Sequence, residues 1–121
     1  MKNSDYHLKQ NQFNIGDIDA DFFKEVNDRY GQAGGDITLK TIVQSILETV
    51  RAEDIIGRIG GEEFAVICPR IDQDGLILSG TRVRENIAAK HITHNEQTFQ
   101  ITCSVGCALY RLEEDLDSLL Q

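Results

Sequence analysis

Two short apolar runs hinged on a pair of glycines constrain this chain more than any other stretch. Ile55-Ile56-Gly57-Arg58-Ile59 and Phe64-Ala65-Val66-Ile67-Cys68 both suit buried strands. Gly60-Gly61 between them tolerates the positive φ angles of a tight hairpin turn. Glu62 and Glu63 follow at once, so rigid backbone presents two carboxylates at an exposed tip. Adjacent strand residues point to opposite faces, so the two cannot share one role in one orientation. Like charges this close repel, and a bound cation is the simplest relief. A solvated acidic turn is the plain alternative, and the rest of the chain decides between them.

At 121 residues the chain can build one real core but not two. With 40% hydrophobic and 26% charged residues, it has the make-up of an ordinary globular domain. A formal charge of −8 argues against nucleic acid as a partner, which would need clustered Lys and Arg. No apolar run reaches the length of a membrane span, and Met1-Lys2-Asn3-Ser4-Asp5 is no signal peptide, so no membrane contact is expected. Cys68, Cys103 and Cys107 fall in apolar, strand-like segments without a Cys-x-x-Cys pair. That usage fits reduced thiols packed as small hydrophobes in a cytoplasmic protein. His91 and His94 sit in a segment that reads as a loop, which makes them surface histidines rather than metal ligands.

Residues 1–12 form a polar arm, and 13–121 the domain. Phe13 to Asp19 reads as a strand, flawed by Gly16 and Asp17 where a central strand prefers Val or Leu. Phe22, Phe23, Val26 and Tyr30 then recur at helical spacing until Gly31, Gly34 and Gly35 break the pattern. Asp36 stands where it would N-cap a second helix, whose apolar stripe runs Ile37, Leu39, Ile42, Val43, Ile46, Leu47 and Val50. A third helix spans about Gly75 to Lys90, with Leu76, Gly80, Val83 and Ile87 inward. Gln97 to Tyr110 reads as one last extended segment, and Leu116, Leu119 and Leu120 open a further helix. The order β-α-α-β-β-α-β predicts an α+β, ferredoxin-like fold, an antiparallel sheet with helices packed on it.

In that topology the end of the first strand neighbours the hairpin tip, so Asp19 meets Glu62. Carboxylates from two elements would chelate a hard divalent cation, Mg²⁺ or Mn²⁺, and Mg²⁺ commonly brings phosphates with it. Phe22-Phe23-Lys24 opens a helix beside them, offering backbone N–H groups and an ammonium to phosphate oxygens. Asn27, one turn on, would read a purine edge together with Asp36.

Arg58-Ile59-Gly60-Gly61-Glu62-Glu63-Phe64 resembles the signature of GGDEF domains, the diguanylate cyclases, in a GGEEF variant. Asp19-Ala20-Asp21-Phe22-Phe23-Lys24-Glu25-Val26-Asn27-Asp28 resembles the family's Asp-x-Asp-x-Phe-Lys-x-x-Asn-Asp box. Gly31 to Asp36 resembles its Gly-His-x-x-Gly-Asp, with Gln32 replacing the His. Arg51-Ala52-Glu53-Asp54 has the Arg-x-x-Asp form of its product-inhibition site. The resemblance covers residues 13–110 and implies a nucleotidyl-cyclase-like fold. It also implies condensation of two GTP into cyclic di-GMP across a homodimer that need only be transient.

It further implies that Asp19, Glu62 and the Ala20 carbonyl hold two metal ions, with Glu63 a second acidic group that helps bind metal or deprotonate the hydroxyl. Phe22, Phe23 and Lys24 would meet the substrate's phosphates, Asn27 and Asp36 its guanine, and Gly60 and Gly61 would also contact substrate. Arg51 and Asp54 would bind product, and Arg82 stands where the family sometimes adds an arginine from a neighbouring domain. Asp17 belongs to a second Asp-Ile-Asp and is the alternative ligand; Asp19 keeps the spacing to Lys24, Asn27 and Asp36 without a gap. The family's Leu-Thr-Gly-Leu-x-Asn-Arg-Arg segment and its basic terminal helix have no counterpart in this sequence. A module that binds GTP or cyclic di-GMP without turning it over is therefore the competing expectation.

Overall fold

A computed structural model describes residues 12–111. Strand β1 (Gln12–Ala20) leads into helix α1 (Phe23–Thr49), followed by the hairpin β2 (Ile55–Arg58) and β3 (Glu63–Pro69). Helix α2 (Gln73–Ala89), a small hairpin of β4 (Ile92–His94) and β5 (Gln97–Phe99), and strand β6 (Cys103–Arg111) complete it. The main sheet runs β2-β3-β1-β6 and each neighbouring pair is antiparallel. Each helix therefore carries the chain over one strand to a parallel partner, the two interleaved split βαβ units of a ferredoxin-like fold. The polar arm before Gln12 and the leucines of 116–120 lie outside the described residues.

Alternation fixes the two faces of the sheet. Ile18, Phe64, Val66 and Cys103 are buried against Val26, Ile42 and Ile46 of α1 and Leu76, Val83 and Ile87 of α2. Each fully buried Ile contributes roughly 1.5–3 kcal/mol. Asn86 ties the helices together, its side-chain amide donating to the Ser45 carbonyl at 3.0 Å and to Glu48 at 3.0 Å. Lys90 pairs with the same Glu48 carboxylate at 2.7 Å. Asp72 caps α2, accepting from the Gly75 N–H at 2.7 Å.

Several expectations are corrected. Gly31, at φ 76 and ψ 177, breaks α1, and the helix resumes directly after it. Asp36 therefore lies inside the helix and is not its N-cap. Phe22 leaves the buried stripe: it sits ahead of the first turn in the left-handed region and is 75% exposed. Leu47 is 55% exposed, because the outer flank of α1 lies along an open apolar groove of about 750 Å³ beside β2.

Among the glycines only Gly31 has positive φ, so Gly60 and Gly61 do not form a primed turn. Ile59 to Glu62 make a wider connection, which has no need of one. It is closed instead by the Ile59 and Gly60 N–H groups on the Glu63 carbonyl and by Arg58, whose guanidinium donates to the Gly60 and Gly61 carbonyls. The segment from His91 is a hairpin rather than a loop. Its turn residues Asn95 and Glu96 both take positive φ, and the Thr93 and Thr98 hydroxyls meet across it at 3.1 Å. Gln97 to Tyr110 is accordingly two strands, parted at 100–102. Cys68 and Cys103 are packed inside and burial pushes both thiols up to about 11, whereas Cys107 is exposed.

Candidate active site

The register of β1 against β3 places Asp19 opposite Glu63 rather than the expected Glu62, because β3 begins only at Glu63, and it places Asp17 opposite Ala65. Asp17, Asp19 and Glu63 consequently share the outer face at one end of the sheet, while Ile18 and Phe64 point into the core. One step further, the Ala20 N–H donates to the Glu62 carbonyl at 3.1 Å. The end of β1 and the hairpin tip are thus stitched together by backbone.

The electrostatics of this end are one-sided. The hydrogen bond that protonated Glu63 donates to the Asp17 carboxylate, then the charge of Asp17, some desolvation, and the charges of Asp19 and Glu62 raise the Glu63 pKa above its ordinary value. Among the described residues no ion pair reaches any of the four. A set of hard oxygen donors with no ion-paired cation fits a divalent ion by charge and by chemistry. Among the described residues no three acidic, His or Cys groups already converge around one point, with Glu63 turned toward Asp17. Chelation would need that pair to separate.

Helix α1 starts directly beyond. No side chain caps its first turn. Asp21, the residue best placed to do so, is held elsewhere: its carboxylate accepts from Thr102 at 2.8 Å and Ser104 at 2.6 Å. Its own N–H donates to the Thr102 carbonyl at 3.0 Å. An uncapped first turn, with Lys24 exposed beside it, is suited to anionic oxygens. Spacing alone gives Asp21 no role beyond its place in the Asp-x-Asp box. The signal was its alternation with Asp19, which put it on the strand's edge rather than in the helix.

The break at Gly31 folds the two halves of α1 onto each other. A side chain at Gly35 would occupy the place of the Asn27 amide oxygen and press on the Phe23 ring. One at Gly34 would meet the Tyr30 Cβ. Glycine at both positions lets the elbow close, bringing Asn27 beside the turn that carries Asp36.

Arg51 and Asp54 lie near the opposite end of β3. Asp54, its side chain 1% exposed, accepts the Arg51 backbone N–H at 2.8 Å and the guanidinium at 2.8 and 3.1 Å. The guanidinium also donates to the Pro69 carbonyl at 2.6 Å. The Asp54 hydrogen bond outweighs burial and raises the Arg51 pKa further. Arg82 lines the same cleft as Arg51, of about 130 Å³.

Signature, register and fold agree, and a family model described as "Diguanylate cyclase, GGDEF domain" matches residues 2–121. The chain belongs to the GGDEF family. Diguanylate cyclase A of Treponema denticola is 34% identical over 110 residues, 91% of this domain and 29% of that protein. The domain thus spans less than a third of that relative's length. Diguanylate cyclase SiaD of Pseudomonas aeruginosa, solved with its activator SiaC, superposes with a TM-score of 0.84 at 28% identity, over 98% of this chain and 45% of that one. The GGDEF domain of DgcB from Caulobacter crescentus, solved with c-di-GMP, matches with a TM-score of 0.81 over 98% and 77%; at 24% identity it speaks for the fold alone.

In this GGDEF domain the structure brings Asp19, Ala20, Glu62 and Glu63 together, with Phe22, Phe23 and Lys24 directly beyond them. Asn27 and Asp36 flank the helix break, and Arg51, held by Asp54, lines a separate cleft with Arg82. No helix among the described residues is long and apolar enough to cross a membrane.

Proposed function

We propose that this domain condenses two GTP molecules into cyclic di-GMP, releasing pyrophosphate, across a transient homodimer in the cytoplasm. The observation that carries the reading is the register that sets Asp19 against Glu63 and Ala20 against Glu62, beside an uncapped helix start. Asp19, Glu62 and the Ala20 carbonyl are the groups that would hold Mg²⁺ or Mn²⁺, two per site. When bound, such ions supply charge stabilisation to attacking and leaving oxygens.

The chain's own residues do the rest. The Phe22 and Phe23 amides and the Lys24 ammonium bind the phosphates, with Gly60 and Gly61 letting backbone approach them closely. The Asn27 amide and the Asp36 carboxylate hydrogen-bond the guanine edge. Glu63, its proton affinity raised by Asp17, accepts the 3′-hydroxyl proton as that oxygen attacks the α-phosphorus of the partner's nucleotide. Two such attacks close the ring.

The cleft of Arg51 and Arg82 favours a second reading, a cyclic dinucleotide receptor, since two guanidinium groups, one of them held in place by Asp54, suit a phosphodiester. Incubation with GTP and Mg²⁺ at high protein concentration, with products identified by mass, separates the two. Cyclisation abolished by Glu62→Gln and by Glu63→Gln supports the enzyme. Absence of turnover, together with cyclic di-GMP binding that Arg51→Ala removes, supports the receptor.

A further inference from the structure

The β4–β5 hairpin plays no part in the roles above, yet it is packed on the one place where α1 is broken. The break at Gly31 separates Asn27 from Asp36, the two side chains assigned to the base. Each strand of the hairpin touches a different half of the helix. The Phe99 ring, at the end of β5, stacks on Tyr30 ahead of the break, with centroids 3.9 Å apart and planes at 11°. The His94 ring, at the end of β4, lies against Gly34 behind it. The hairpin is itself anchored by Ile92, 2% exposed, in the core. On the helix side, Arg29 adds a cation 5.6 Å from the Tyr30 ring. The elbow is therefore bridged from outside by one hairpin, at the point where three glycines leave few side chains of its own to set its angle.

We propose that the β4–β5 hairpin is a positioning element for base recognition: Phe99 through Tyr30, and His94 through Gly34, fix the angle of the break and so the separation of the Asn27 amide from the Asp36 carboxylate. This rests on the assignment of those two side chains to guanine. The carboxylate accepts from the exocyclic amine that guanine has and hypoxanthine lacks, so preference for GTP over ITP reports that separation. Phosphate binding, at the other end of the nucleotide, does not.

The test uses the whole chain with Phe99→Leu, which keeps apolar bulk but removes the stack, and Phe99→Tyr, which keeps the stack. Binding of non-hydrolysable GTP and ITP analogues with Mg²⁺ is measured, along with the resonance of the Asn27 side-chain amide without nucleotide. The expected result is a moved Asn27 resonance and a GTP-over-ITP preference reduced about threefold to tenfold in Phe99→Leu, the size of one aromatic pair, with both restored in Phe99→Tyr. An unmoved resonance, or equal weakening of both nucleotides, overturns the proposal. A parent protein with no preference between GTP and ITP overturns the base assignment and this inference with it. A preference that Phe99→Leu leaves intact overturns the inference alone.

Discussion

Asp21 is bound to Ser104 at 2.6 Å across the β1–β6 edge, and this bond keeps a carboxylate off the amides that open α1. Thr102 holds the other oxygen at 2.8 Å. The double variant Thr102→Val, Ser104→Ala releases that carboxylate to swing over the first turn, where it competes with phosphate for the same donors. GTP affinity is expected to fall several-fold, with stability reduced by about 1–2 kcal/mol, measured by nucleotide titration and urea unfolding. Unchanged GTP affinity in a folded variant contradicts this role for Asp21.

Gly16 lies mid-strand over a void of about 20 Å³ beneath α2, and a Cβ there would meet nothing within 4 Å. Its φ is not in the left-handed region. Gly16→Ala is therefore expected to stabilise the fold by about 0.5–1 kcal/mol, through the unfolded chain's lost freedom and a better-filled core. A higher midpoint in urea checks it.

At Gly35 the opposite holds, because the Asn27 amide and Phe23 ring already fill the space. Gly35→Ala is expected to cost about 1–3 kcal/mol and to weaken guanine nucleotides more than pyrophosphate. Calorimetric titration of both ligands distinguishes this from a global loss.

The Asp17 hydrogen bond and charge, with lesser help from Asp19 and Glu62, raise the Glu63 pKa above 4.5, so the folded state holds that proton more tightly than the unfolded chain. The stability linked to Glu63 is then fully present below 4.5 and is lost as pH rises past that value through the raised one. Asp17→Ala should shrink the loss, and Mg²⁺ at pH 7 should reverse it. Urea midpoints between pH 4 and 7 report both; identical pH profiles for parent and Asp17→Ala contradict the coupling.

How much of this was legible in the sequence depends on what each residue type signals locally. The central hairpin was legible as two apolar runs parted by glycines, but not its form: neither glycine takes a positive φ, and β2, expected to be buried, is mostly exposed because it is the sheet's edge strand. That the helix is interrupted between Asn27 and Asp36 was legible, but not the elbow's form. Three glycines mark a break without saying which one takes the positive φ, and Gly31 does so. The β4–β5 hairpin was hidden because its turn is Asn95-Glu96, with no glycine to announce two left-handed residues. Phe22 could not be told from Phe23 by period, since adjacent aromatics at a helix start differ only in which side of the first turn they fall. Cys107 was misjudged because β6 is an edge strand, and its inner face is only partly covered by α2.

The account stands or falls on whether acidic groups from β1 and from the hairpin tip act on one ion. Mn²⁺ binding in the presence of a non-hydrolysable GTP analogue, followed by electron paramagnetic resonance, tests this directly. The prediction is that the parent and Asp17→Asn bind Mn²⁺ with GTP, while Asp19→Asn and Glu62→Gln each lose it. Binding by Asp19→Asn and Glu62→Gln at the parent's strength would contradict the account.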